Sequence, residues 1–458
     1  DEKEVFSRVQ NKLGALKDSD FEKLKSPDDL VQIGHVFLKG DANIVGMAQT
    51  IVDVSIEECA AWDFLIGSRI RLKKFYESKR GVKRILVPVN GHFAIHYSAY
   101  QLGLGLTIRE GFTKKSAWKK LNENTILTVN EPCERTADFQ YEDRGWITAK
   151  HTALLKFERL TSVETVEQTR VSLRVHTSLG GLIPPAFVNT QYTGFLMHAS
   201  RMRLKFDRSA DIDAASVARI VEMIKNHTDD YTAAENDIVK DGLDNFKLFD
   251  SEKAKELKME SRMITAKIAF KGGDSHAWGW ASAVVRATPE EILAFQWNAL
   301  SRANRSIDDI EKGIDEEPNH HNQLVYNKKA TPKIIDNRDF LGRAIWKKTE
   351  TGYVVVATPE ESDQRPSPDG FIRAKYPSTM RITPLNNKET KIDYTIHPDS
   401  GGQVPSYLMS FYIASNLSYV SEIQEYFQAL RGLEQWDEGD GKALGEMMTT
   451  KSRNDKIR

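Results

Sequence analysis

Through the second half of this 458-residue chain, apolar and polar positions alternate in short runs. Residues 279–287, 323–326, 339–347, 352–358, 371–375, 379–384 and 391–397 each read as a half-buried strand. Turn residues such as Asn386-Asn387 and the Pro-Ser-Pro-Asp-Gly run at 366–370 separate them, and connections this short predict a mostly antiparallel sheet. The apolar spacing changes to that of a helix over 290–300. It does so again from about 405 to about 430, where Tyr407, Leu408, Phe411, Tyr412, Ile413, Leu417, Val420, Ile423, Tyr426 and Phe427 predict one long helix. Ahead of residue 279 the pattern is helical. A long helix of similar character is predicted from 185 to 206, and about 22 residues would span roughly 33 Å, enough to cross a whole sheet.

The pattern occurs twice. VHTSLGGLIP at 175–184 recurs as IHPDSGGQVP at 396–405, each time after a strand-like run and before a long amphipathic helix. VGMAQTIVDVSIEECAAWDF at 45–64 aligns without gaps on WGWASAVVRATPEEILAFQW at 278–297. In both, a strand enters a helix capped by Ser55 or Thr288, with paired glutamates in the first turn. Phe112 to Trp118 pairs with Phe340 to Trp346, and Trp146 to Lys150 with Phe371 to Lys375, in the same order. A whole domain is duplicated. The expected organisation is a first domain over 1–210 with N-terminal helices, a charged helical connector over 211–254, a second domain over 255–435 and a polar tail over 436–458. A curved antiparallel sheet has one face to bury, and one long helix entered through a tight Gly-Gly turn can cover it. Such a helix leaves room for an apolar cavity, although side chains filling the space fit the same pattern.

Composition adds exclusions. The chain is 40% hydrophobic and 28% charged with net charge −1, which is globular and not the basic profile of a nucleic-acid binder. Two cysteines, Cys59 and Cys133, form no CxxC pair and fit a reducing, cytoplasmic setting. No run reaches the ~18 apolar residues of a spanning helix. The first residue is Asp rather than Met, which points to a fragment or a processed product. Gly103-Leu-Gly105 lacks the third glycine of a dinucleotide loop, and no Gly-x-Ser-x-Gly or His-Glu-x-x-His is present. His320-His321 stands without other clustered ligands, so no metal site is expected.

Asn337 to Phe340 (NRDF), Gly370 to Tyr376 (GFIRAKY), Met380 to Leu385 (MRITPL) and Lys391 to Ile396 (KIDYTI), followed by Val404-Pro405 and the last helix, resemble the START domain, the StAR-related lipid-transfer family. The resemblance covers nearly all of the second copy; the first copy resembles the family more weakly and inherits its assignment from the repeat. It implies an α+β chain of two tandem helix-grip domains, each a curved antiparallel sheet wrapped around a long C-terminal helix. It also implies a tunnel for one lipid and a gate formed by that helix and a nearby loop, by position 132–145 in the first copy and 359–370 in the second. Partners implied are a lipid or similar hydrophobic small molecule and transient membrane contact, with no cofactor and no catalytic group.

Candidate cavity and gate residues are Phe187, Tyr192, Phe195, Tyr407, Phe411, Tyr412 and Trp280, with His176, His397 and Arg343 as polar candidates for a lipid head. Sterol-binding members carry an acid and an Arg in the cavity. Arg343 lies one residue off the matching position, on the opposite face by strand alternation. His176 and His397 hold equivalent strand-end positions, where a His either meets a ligand or makes a turn contact. Trp278 and Trp280 project to one face of their strand, as sheet core or as cavity wall. Three functions remain open: lipid binding with intermembrane transfer, a lipid-sensing or scaffold module without transfer, and a helix-grip cyclase or hydrolase, against which the missing catalytic motifs count.

Overall fold

Alternation becomes strands in both halves of the chain, which separates into two units, residues 1–212 and 213–458. The computed structural model describes residues 2–435 apart from 79, 102–107, 111–113, 134–144, 182, 191, 229, 252–253, 262, 272–275, 307, 332–334 and 403–405. The side chains of 110, 114, 185, 187, 190, 406–411 and 431–435 also lie outside the described residues. The Gly103 to Leu106 stretch and the 436–458 tail therefore fall outside the described residues, as does most of the first candidate gate loop.

In the first unit the strands are β1 (Glu22–Leu24), β2 (Gln32–Phe37), β3 (Ile44–Val52), β4 (Gly81–Asn90), β5 (Phe93–Tyr100), β6 (Arg109–Glu110), β7 (Lys114–Asn122), β8 (Thr125–Pro132), β9 (Ile147–Thr148), β10 (Lys150–Val163) and β11 (Val166–Ser178). They form one sheet in the order β1-β2-β3-β11-β10-β8-β7-β5-β6-β9, with β4 paired to β5. In the second unit they are β12 (Lys255–Glu256), β13 (Thr265–Ala269), β14 (Trp278–Val285), β15 (Asp309–Asn319), β16 (Asn322–Lys329), β17 (Asn337–Thr349), β18 (Gly352–Pro359), β19 (Phe371–Arg373), β20 (Ser378–Pro384) and β21 (Thr390–Ile396). Their order is β12-β13-β14-β21-β20-β18-β17-β16-β15, with β19 on β17. The orders superimpose, β3 on β14 and β11 on β21 through to β4 on β15. The pairing is antiparallel except at β6·β9 and β17·β19. Both units thus have an α+β helix-grip architecture. Between residue 255 and β14 the expected helical sequence is replaced by strands β12 and β13, with Ala266 and Ala269 buried in the sheet.

The caps read from the sequence are made. Ser55 Oγ accepts from Glu58 N at 3.2 Å, and Thr288 and Glu291 form a reciprocal capping box at the start of helix Pro289–Trp297. The last helices differ from the single long helix expected. In the second unit two pieces, Ser406–Leu417 and Tyr419–Gln435, meet at Ser418. Ser418 Oγ donates back to the Ser415 carbonyl at 2.6 Å and Asn416 Nδ2 to the Tyr412 carbonyl at 2.7 Å, contacts that bend helices. In the first unit the pieces are Pro185–Thr190, Tyr192–Leu196 and His198–Lys205, in a stretch where Thr190, Thr193 and Gly194 are poor helix formers. Segment 211–254 forms helices Ser209–Lys225 and Ala233–Asp244; Ile220, Ile224 and Val239 enter apolar clusters of the second unit.

Each last helix lies on the concave face of its sheet at a glycine. A Cβ on Gly279 would stand 2.9 Å from Ile413 Cγ2 and 3.1 Å from Leu417 Cδ1; on Gly46 it would stand 2.7 Å from the Tyr192 ring. Glycine at the same strand position lets helix and sheet touch in both units. Gly279→Val is expected to lift the helix off β14 and cost about 1–3 kcal/mol, read as a lowered urea midpoint.

Candidate functional site

The Gly-Gly turns place the helices. Gly180, Gly181, Gly401 and Gly402 all have φ between +62° and +66°, a pair of left-handed residues that only glycine adopts without strain. A buried arginine clamps each turn. Arg109 on β6 donates through Nε to the Leu179 carbonyl at 2.8 Å, and Arg338 on β17 donates to the carbonyls of Ser400 at 2.5 Å and Gly401 at 3.3 Å, and also to that of Asp336. Arg338 is thus a structural group at the helix entry. The neighbouring Asp339 pairs with Arg373 at 2.7 Å.

Beyond the turn, the concave face of the second unit is apolar. Ala281, Ala283, Val355, Met380, Ile382 and Tyr394 are buried with Ile413, Leu417, Val420 and Ile423 of the helix. A polar pair lies in this interior: Tyr419 Oη donates to Gln296 Oε1 at 2.7 Å, and burial pushes the Tyr419 phenol up. In the first unit the same two positions hold His198 and Asp63, whose Nε2 and Oδ1 lie 2.8 Å apart. Thr128 Oγ1 donates to Asp63 Oδ2 at 2.8 Å, and Ser116 hydrogen-bonds Asn130 nearby on the same face. Where the first unit has Ser116, Thr128 and Asn130, the second has Ala344, Val355 and Ala357. Two surface hollows, of about 480 and 110 Å³, lie outside these interiors: one at the 348–353 turn beside Pro289 and Glu290, the other between Gly242 and Val356.

The sequence candidates divide by face. Tyr192 is fully buried on the concave side, its Oη accepting from Thr177 N at 2.7 Å, and burial pushes its phenol up to about 12. Phe195 meets the Tyr192 ring edge-on at 5.7 Å, and Tyr412 is half-buried on the last helix of the second unit. The side chains of Phe187, Tyr407 and Phe411 lie outside the described residues. Trp280, His176, His397 and Arg343 all stand on the convex face instead. Trp280 packs near Phe249 and under Lys267, and His397 stacks on Trp278 at 4.7 Å. His176 sits between Lys12 at 3.1 Å and Asp41 at 2.9 Å; burial, then Lys12, lowers its pKa against the pull of Asp41. Arg343 bridges Glu360 at 2.6 Å and Glu316 at 2.9 Å and also meets Asn322. The physical reason is the strand period of two. Gly46 and Gly279 face the helix, so Trp278 and Trp280 must face away, and likewise Arg343 opposes Trp346. Asp63, Thr128 and His198 are not among the sequence candidates. The signal that finds them is the repeat, which puts a polar residue at 63 and 296, and again at 198 and 419, within otherwise apolar stretches.

The described gate-side residues of the second unit are polar. Within 359–370, Arg365 pairs with Asp315 of β15 and its guanidinium lies over the Tyr326 ring at 3.6 Å. Among the described residues no group of acidic, His or Cys side chains is arranged to hold a metal, and no helix is long and apolar enough to cross a membrane. His321 sits in the β15–β16 turn, buried, its ring 4.1 Å from that of Tyr231.

Comparison with curated proteins returned no match. Among solved structures, the chain is similar to human StAR-related lipid transfer protein 5, at 16% identity over 44% of this chain and 100% of that one, with a TM-score of 0.38. It is also similar to the lipid transfer and protein localization domain of human StarD13 (DLC2), at 18% identity over 41% and 96% with a TM-score of 0.34. A third similar structure is the Zhui aromatase/cyclase from Streptomyces sp. R1128, at 13% identity over 35% and 96% with a TM-score of 0.25. Residues 231–432 match the family model of the START domain. The START domain match falls within the second unit, and the first unit repeats the same strand order.

Proposed function

We propose that the chain binds a lipid or similar hydrophobic small molecule between the concave sheet and the last helix, and carries it between membranes. The observation that supports this most is the apolar concave face of the second unit, Ala281, Ala283, Val355, Met380 and Ile382, under a helix in two pieces within a START domain. At roughly 25 cal/mol per Å², a lipid burying several hundred Å² gains many kcal/mol over water. A bilayer offers much the same gain, so exchange is nearly balanced and the movement that opens the interior sets the rate. In this reading the helix piece Ser406–Leu417 swings about Ser418, and the 359–370 loop, held by Arg365–Asp315, completes the door. The test is transfer of labelled phospholipid, sterol and fatty acid between donor and acceptor vesicles. Acceleration at least several-fold over vesicles alone is expected for one class. Transfer no faster than the protein-free control for all classes would leave a binding or sensing module, and reject carriage.

A further inference from the structure

Three arginines of the first unit lie close enough beside its interior for their charges to act on one another, and among the described residues the one carboxylate charge that answers Arg71 is that of Asp63. Arg71 is on helix Arg69–Glu77, Arg84 on β4 and Arg201 on the last helix, one turn after His198. Arg84 is held in place: its Nη2 donates to Tyr100 Oη at 2.7 Å, its Nε to Ser98 Oγ at 3.3 Å, and its guanidinium lies 3.9 Å from the Phe75 ring centre. Arg71 is half-buried over the Trp62 ring at 4.3 Å and donates to the backbone carbonyls of Trp62 and Asp63. Arg201 is exposed. None of the three makes an ion pair with a carboxylate among the described residues. Burial holds the Arg71 guanidinium below its ordinary value; the charges of Arg84 and Arg201 push it the same way, while Asp63 and Tyr100 pull it up. Like charges gathered at a partly desolvated mouth repel one another, and an anion between them relieves that cost.

The second unit serves as an internal control. Its counterparts of Arg71 and Arg201 are Asn304 and Glu422, and Lys312 takes the place of Arg84, opposite Asn327 as Arg84 is opposite Ser98. There the cationic group is answered from within. Asp309, with its side chain 3% exposed, stands 3.6 Å from Lys329, and its charge reaches Lys312. The first copy therefore gathers three guanidinium groups about the charge of Asp63, whereas the second sets two ammonium groups, Lys312 and Lys329, about that of Asp309. Guanidinium groups also match the planar, two-oxygen geometry of carboxylate and phosphate better than ammonium groups do.

We infer that the first unit takes an amphiphile with an anionic head, carboxylate or phosphate, held by Arg71, Arg84 and Arg201 with its apolar tail toward the concave sheet. This rests on the hydrophobic-ligand reading above and names the ligand class of one copy. The experiment titrates the full chain, with tryptophan fluorescence as readout, against oleate, monododecyl phosphate, methyl oleate and inorganic phosphate. Oleate or the alkyl phosphate should bind about tenfold more tightly than the uncharged ester. Arg84→Gln with Arg201→Gln should remove that preference and leave ester binding unchanged. Arg201→Glu, which copies the second unit at an exposed position, should weaken anion binding without a folding cost. Equal binding of oleate and ester, or a preference that survives both variants, would overturn the inference while hydrophobic binding stood. Inorganic phosphate binding as tightly as the alkyl phosphate would replace the amphiphile with a free anion and overturn it as well. No binding by any tailed probe would overturn the hydrophobic-ligand reading itself, and this inference with it.

Discussion

Arg338→Leu should destabilise the second unit by about 3–5 kcal/mol. The side chain is buried, and its guanidinium donates to the carbonyls of Asp336, Ser400 and Gly401. Leucine fills much of the volume and leaves the Ser400 and Gly401 carbonyls without the Arg338 donor, each a cost of about 1–3 kcal/mol, while the Asp336 carbonyl keeps Thr331 Oγ1. The turn they belong to holds two consecutive left-handed glycines and sets the entry of the last helix, so the loss reaches the helix as well. Arg338→Lys, with a point charge that satisfies fewer carbonyls at once, should fall between the two. Urea unfolding followed by circular dichroism measures this directly. A variant as stable as the parent would mean that the turn stands without its clamp. Arg109→Leu is the matching experiment in the first unit, through the Leu179 carbonyl.

The second large effect belongs to Asp63. Burial pushes this carboxyl up, but the hydrogen bond and charge of His198, then Arg71 and Thr128, bring it down to about 2 from its ordinary 3.8. A carboxylate held below its unfolded value contributes stability that is fully present above about pH 4 and fades as pH falls toward 2. Asp63→Ala leaves His198 and Thr128 without their acceptor and should cost about 3 kcal/mol at pH 7. The gap between parent and variant should narrow steadily below pH 4. A gap independent of pH between 2 and 7 would mean that the charge of Asp63 contributes nothing to the fold. In the second unit the neutral Gln296–Tyr419 pair predicts no such acid dependence at the equivalent contact.

How far the chain could be read in advance follows from what each residue had to bury. Strands β20 and β21 alternate apolar and polar residues, as in Met380-Arg381-Ile382 and Ile392-Asp393-Tyr394, so the pattern reveals them, and the caps at Ser55 and Thr288 are local chemistry that sequence displays directly. Strand β15 is invisible to the same reasoning. Its sequence, DIEKGIDEEPN, lies at the sheet edge with one neighbour, β16, and register shifts along it, so nothing requires an apolar face. The long helices were legible as apolar stretches but not in their breaks, which come from side-chain contacts of Ser418 and Asn416 with their own backbone. The candidate site was legible only in part. Tyr192 follows from the helix pattern, whereas His176, His397, Trp280 and Arg343 are polar or aromatic for reasons of the convex face, where Asp41, Trp278, Phe249 and Glu360 receive them. The interior contact of Asp63 with His198 spans 135 residues, and only the comparison of the two copies makes such a pair visible.

The central claim is that an apolar molecule lodges between sheet and last helix. Mass spectrometry of organic extracts from the purified chain tests it most directly. A single lipid class recovered at a fixed ratio near one or two molecules per chain, and lost on Gly279→Leu together with Gly46→Leu in a chain that still folds, is the result expected. Extracts from well-folded protein that match a protein-free blank, with no uptake when the chain is incubated with lipid vesicles, would contradict it.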